Sequence, residues 1–176
     1  MLLLLFNLWN RIHAGNLAGS FDTFPLPNWM RVWLSRYPMQ QRVAIYARVM
    51  EGRDLTSLAP DELGCAESVS RILVQWGLSP SVVTGTWTLQ QELQKNKNFK
   101  RISEREVTPG CVIIAATGEG NGKIKNGHVG IVGENLRIWS NNSSTGKWDN
   151  HLTVFFFKNH YGLAGGYPVY YYKIIN

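Results

Sequence analysis

The chain is poor in charge and in cysteine, and it has no apolar run long enough to cross a bilayer. Only 17% of its 176 residues are charged, against 44% hydrophobic and 12% aromatic. That balance excludes a disordered chain and fits one domain with a real core. Two cysteines, Cys65 and Cys111, exclude a disulfide framework. No CxxC pair exists to give the closely spaced thiolates of a structural zinc site. The opening "MLLLLFNLW" is apolar for about nine residues, where a spanning helix needs about 20. No basic residue precedes it, and "AGNLAGS" is only a faint cleavage-like stretch. It reads as a short amphipathic helix docked on the domain rather than a signal peptide. Phosphate-cradling loops, dinucleotide fingerprints and zincin helices are all missing, as are internal repeats and low-complexity segments.

What is present begins with positive charge: a net +6 and a pI near 9.5. The balance favours polyanionic partners such as an anionic membrane or cell wall. Lysines and arginines are scattered rather than clustered, so no nucleic-acid partner is expected. Seven tryptophans and the Gly-rich loop 117–127 are candidates for lining a ligand groove.

Residues 1–60 read as helical. Trp29, Val32, Trp33 and Leu34 follow "PLPN", with Asn28 as candidate cap. Met39, Val43, Tyr46, Ala47 and Met50 share one face of a second helix that Gly52 ends. After the connector "TSLAPDE", Asp61 or Glu62 fronts a helix with the stripe Val69, Ile72, Leu73 and Trp76, stopped by Gly77. Another helix is predicted over Leu89–Lys95. From Phe99 the period changes. "FKRIS", "CVIIAAT", "HVGIVGE", "LRIWSNN" and "YPVYYYKI" are short strands separated by turn signals, and the helix "TVFFFKNHYG" precedes the last. Helices first and an antiparallel meander second define an α+β domain.

In "DELGCAESVSRIL" Cys65 follows Gly64 at a helix start. A helix N-terminus lowers a thiol pKa, and its free N–H groups form an oxyanion hole. Gly64 lets a carbonyl approach the backbone closely. Cys111, in "PGCVIIAA", has the surroundings of a buried strand residue. Among His13, His128, His151 and His160, only His128 opens a strand after a glycine-containing loop, in "KNGHVGIV". On the next strand Trp139 and Asn141 alternate onto one face, with Ile138, Ser140 and Asn142 on the other. An Asn amide fixes the imidazole tautomer that presents its other nitrogen to sulfur. Asn141 is preferred for this role, with Asn142 one register step away.

A helix-start Cys, "GHVGIV" on a strand and a polar residue on the following strand resemble the NlpC/P60 and CHAP superfamily of papain-like cysteine peptidases and amidases. The resemblance covers roughly residues 60–175. It implies a nucleophile helix packed on an antiparallel sheet of about five strands. The catalytic set it implies is Cys65 as nucleophile, His128 as base and Asn141 as orienting residue, with no cofactor. The expected organisation is a helical N-terminal region over 1–58 packed on a hydrolase domain over 59–176. The resemblance further implies cleavage of amide or peptide bonds in the stem peptides of bacterial peptidoglycan, and action at the bacterial cell wall on peptidoglycan and anionic wall polymers. Gly64 stands where NlpC/P60 proteins often have Asp, and Ala66-Glu67 replaces their usual Ser-Gly, which leaves amidase and endopeptidase both open.

Three rivals accompany that reading. One is a zinc site from Cys65, Cys111 and His128. Another is a non-catalytic wall-binding module, and the third a thiol amidase or acyltransferase of the same superfamily acting on another acyl group.

Overall fold

The computed structural model describes residues 27–60, 63–79 and 81–175. The expected N-terminal amphipathic helix, His13, Asp61 and Glu62 lie outside the described residues. Four helices come first: α1 (Asn28–Leu34), α2 (Met39–Val49), α3 (Cys65–Gln75) and α4 (Thr86–Lys95). Six strands follow: β1 (Phe99–Ile102), β2 (Val112–Ala115), β3 (His128–Val132), β4 (Arg137–Asn142), β5 (Lys147–Thr153) and β6 (Tyr170–Ile174). Between β5 and β6 lie a short α5 (Val154–Phe157) and a π-helical turn, Lys158–Ala164. The sheet is antiparallel throughout, in the order β1-β6-β2-β3-β4-β5. The expected α+β class with an antiparallel sheet is therefore observed, with six strands rather than about five.

The extra strand is β5. Its sequence "KWDNHLT" is mostly polar and buries only Trp148 and Leu152. A register shift between Ile138 and Ser140 on the paired strand breaks the simple alternation. The helix boundaries shift for equally local reasons. Asn28 is the first helical residue of α1 rather than its cap; the Pro27 carbonyl accepts from the Met30 and Arg31 N–H groups. Helix α3 ends at a Schellman turn, with Gly77 (φ 66°) donating to Val74 and Leu78 to Leu73.

Successive residues of β2 alternate between two cores, one on each face of the sheet. Val112 and Ile114 enter the first, Ile113 and Ala115 the second. In the first, Val69, Ile72 and Leu73 of α3 meet Val129, Ile131 and Trp139. Leu34 of α1 and Val43 and Ala47 of α2 belong to that same core. The fully buried Trp148 indole donates to the Ala47 carbonyl (2.7 Å), tying α2 to β5. In the second core, Phe157 of α5 joins Val132, Ile138, Leu152 and Tyr167. Among the described residues no helix is long and apolar enough to cross a membrane.

Candidate active site

Cys65 is the first residue of α3, preceded by Gly64. The backbone N–H groups of Val129 on β3, of Ala66 and of Cys65 itself lie near enough to its sulfur to favour the thiolate. The sequence alone predicts a depressed thiol pKa here, and the structure shows the reverse. Burial pushes the Cys65 thiol up to about 11, against the pull of those N–H groups. A helix start lowers a thiol pKa only when solvent or a counter-charge helps hold the thiolate, and Cys65 is buried.

The ground around Cys65 is tightly fixed. Glu67, fully buried, accepts from the N–H groups of Ser57, Leu58 and Ala59 and from Arg71. Burial works to raise its carboxyl pKa, but Arg71 and these N–H groups prevail and hold it below the ordinary range. The clamp pins the 54–59 loop onto α3. A Cβ on Gly64 would lie 2.0 Å from Thr56 Cγ2 and 3.2 Å from Asn141 Nδ2. Gly64 is thus required for space, at φ −72°, rather than for backbone freedom.

His128 is the first residue of β3, as expected. Gly127 ahead of it has no room for a side chain, since a Cβ would lie 2.0 Å from the Ala115 carbonyl. The Gly127 N–H donates to Thr117 Oγ1 (2.9 Å), closing the β2–β3 loop. The His128 imidazole stacks on Tyr161 (5.4 Å between centroids, 14°) and lies against Phe157. Its Nε2 is 3.1 Å from Ser140 Oγ. Burial, reinforced by His151 and His160, lowers its pKa to about 3.

The structure therefore brings Ser140 to His128, not Asn141. Asn141 is buried against Gly64 at the start of α3, beside Cys65. Asn142 donates to Asp149 (2.9 Å), whose carboxylate also bonds His151 Nδ1. Ser140 is thus the β4 residue whose side chain bonds His128. The sequence signal was present in the alternation that sets Ser140 opposite to Asn141. What it lacked was the side on which His128 lies. His151 sits 6.3 Å from the His128 ring, centroid to centroid. His160 stacks on Phe156.

Cys65 and His128 approach the start of β3 from the two faces of the sheet. The sulfur sits at the Val129 N–H, and the ring of the preceding residue faces Phe157 and Tyr161. Burial pushes the Tyr161 phenol up, and Cys65 and Tyr167 add to the shift. No hydrogen bond joins Cys65 to His128. Cys111 belongs elsewhere. It is fully buried in the second core, with Gln40 Nε2 and Thr108 Oγ1 near its sulfur. The zinc alternative thus has its two thiols in separate cores, and no metal-holding cluster occurs among the described residues. A groove of about 1380 Å3 lies beside α1 and α2, lined by Trp29, Trp33 and Trp139 among others. Neither Cys65 nor His128 lines it, and the loop 117–127 does not either.

No protein-family profile, curated protein or solved structure matches this chain.

Proposed function

We propose that the chain is a papain-like cysteine hydrolase that cleaves amide bonds in the stem peptides of bacterial peptidoglycan. One observation carries the chemistry. A helix-start thiol whose charged form is favoured by the Cys65, Ala66 and Val129 N–H groups lies by the residue that follows His128, an imidazole whose Nε2 is engaged by Ser140. With Nε2–H donating to Ser140 Oγ, Nδ1 keeps its lone pair, and it takes the thiol proton once the imidazole, which rests against Tyr161 on the α5 side, turns toward the Cys65 sulfur.

With the thiol at about 11 and the imidazole at about 3, the resting pair is neutral. Proton transfer to His128 therefore accompanies attack, as in a serine hydrolase, rather than preceding it. As the carbonyl carbon accepts the sulfur, its oxygen becomes an oxyanion beside the α3 amides, which stabilise it. The C–N bond then breaks, and the imidazolium proton leaves with the amine. Water, deprotonated by His128, hydrolyses the thioester and restores the thiol. The substrate class rests on the family resemblance together with the +6 charge, which favours anionic wall polymers.

A second reading, a wall-binding module without turnover, is favoured by the burial that keeps both groups neutral and unbonded to each other. Mass spectrometry of muropeptides released from purified peptidoglycan separates the two. Turnover predicts new amine or peptide ends that Cys65→Ala abolishes without unfolding the chain. Binding to the wall with no released fragment leaves only the second reading.

A further inference from the structure

Three large apolar side chains project from the eleven-residue segment formed by α5 (4 residues) and the π-helical turn (7 residues). Phe155 is 76% exposed, Phe156 49% and Leu163 80%. Isolated exposed apolar residues are ordinary, but this concentration on one short segment is a surface awaiting cover. The inner side of the same segment supplies Phe157 and Tyr161 to the His128 ring. Its outer side is therefore fixed relative to the site.

The rim of this surface is basic. The loop carrying Lys123 and Lys125 is held to the end of the π-helical turn by Asn121, whose N–H donates to Gly165 (2.8 Å). Tyr167 Oη also donates to the Ile124 carbonyl (2.8 Å). Both lysines are exposed, and neither forms an ion pair with a described residue. Glu104 is engaged by Lys158 (2.6 Å) and Asp149 by His151, while Glu119, on the same loop as the lysines, accepts from the Gln90 amide at 3.4 Å. Aromatic and aliphatic side chains that point outward, edged by unneutralised lysines on a chain of net charge +6, match the chemistry of an anionic lipid interface. The apolar groups enter the acyl boundary, and the lysines stay among the headgroups.

We propose that the Phe155–Leu163 surface docks the protein on an anionic bilayer, with the start of β3 facing the lipid side. The proposal does not depend on turnover. The test is co-sedimentation of the full chain with vesicles of phosphatidylcholine alone and of phosphatidylcholine with about one quarter phosphatidylglycerol. The chain should pellet with the anionic vesicles and much less with the neutral ones. Combining Phe155→Ser, Phe156→Ser and Leu163→Ser should weaken that binding by about tenfold or more, with an unchanged circular dichroism spectrum. Lys123→Gln with Lys125→Gln should weaken it by roughly 30-fold, through lost headgroup attraction. Cys65→Ala should pellet like the parent. Should the triple variant misfold, Phe155→Ser with Leu163→Ser alone must still release the vesicles.

Absence of vesicle binding by the parent chain would overturn the proposal. So would apolar variants that bind anionic vesicles as tightly as the parent, since charge alone would then suffice. A parent dimer that the triple variant converts to monomer, without vesicle binding, would assign the surface to a second copy of the chain instead.

Discussion

Alkylation of Cys65 reads the charge state of the site without needing a substrate. A thiol at about 11 rather than near 9 carries about a hundredfold less thiolate at neutral pH. The more basic thiolate is the better nucleophile, and a Brønsted slope near 0.45 recovers about eightfold of that loss. Iodoacetamide should therefore modify Cys65 about tenfold more slowly than a cysteine in a short peptide, before burial slows it further. The rate should climb about tenfold per pH unit from neutral to about pH 10 and level only near the thiol's own value of about 11. His128, at about 3, is uncharged throughout, so His128→Ala should leave the profile in place. Cys65 and Cys111 fall in different tryptic peptides, so mass spectrometry follows each separately, and the unfolded chain in guanidinium supplies the unperturbed rate. A plateau extending below about pH 8 that His128→Ala removes would reveal a thiolate–imidazolium pair. That result would refute both the neutral resting state and the concerted proton transfer built on it.

Three further outcomes follow from the same geometry. Ser140→Ala should lower kcat for muropeptide release by on the order of 10- to 1000-fold, and Asn141→Ala by distinctly less, because Ser140 bonds the imidazole whereas Asn141 packs on Gly64; the opposite ranking would restore Asn141 as the orienting residue. Gly64→Ala should cost about 1–3 kcal/mol in chemical denaturation, since Thr56 Cγ2 occupies the new methyl's place. Adding Thr56→Ser, which deletes that methyl, should recover most of the loss, and a strictly additive pair would count against the clash. Glu67→Gln should destabilise the fold by about 3 kcal/mol at neutral pH. The Glu67 carboxyl is held below its ordinary value of about 4.5, so its contribution is complete above that pH and fades as pH falls through the lower folded value. The variant's acid limb should accordingly be flatter than the parent's.

The fold was legible wherever a short segment carried its own period and its own punctuation. Helix α3 shows its stripe in Val69, Ile72 and Leu73 and its stop in Gly77, and each of these behaves in the structure as its chemistry requires. The strands β2 and β3 are β-branched runs buried on both faces, bounded by turn residues. Strand β5 was not legible because its pairing is decided by others. The Trp148 N–H and carbonyl bond the backbone of Arg53 and Gly52, and its indole bonds Ala47. Those partners lie on α2 or just beyond it, about a hundred residues away in sequence, and no local pattern announces them.

The site divides along the same line. Cys65 at a helix start and His128 at a strand start are positions that local chemistry marks, and the structure puts both at the beginning of β3. The third group depends on which face of the sheet the imidazole occupies, and that is set by a segment far along the chain. Phe157 and Tyr161 hold the ring on the α5 side, so the polar residue of β4 on that side, Ser140, becomes its partner. Asn141, one residue on, turns to the α3 side and closes over Gly64 instead. The charge state of Cys65 was hidden for a related reason. A helix N-terminus is visible in sequence, but the desolvation that overrides it comes from everything packed around it: the Glu67-clamped loop, Thr56 against Gly64, and β3 beneath. Position is written locally in this chain, whereas pKa and hydrogen-bond partner are properties of the assembled core, and the neutrality of the Cys65–His128 pair follows from that core.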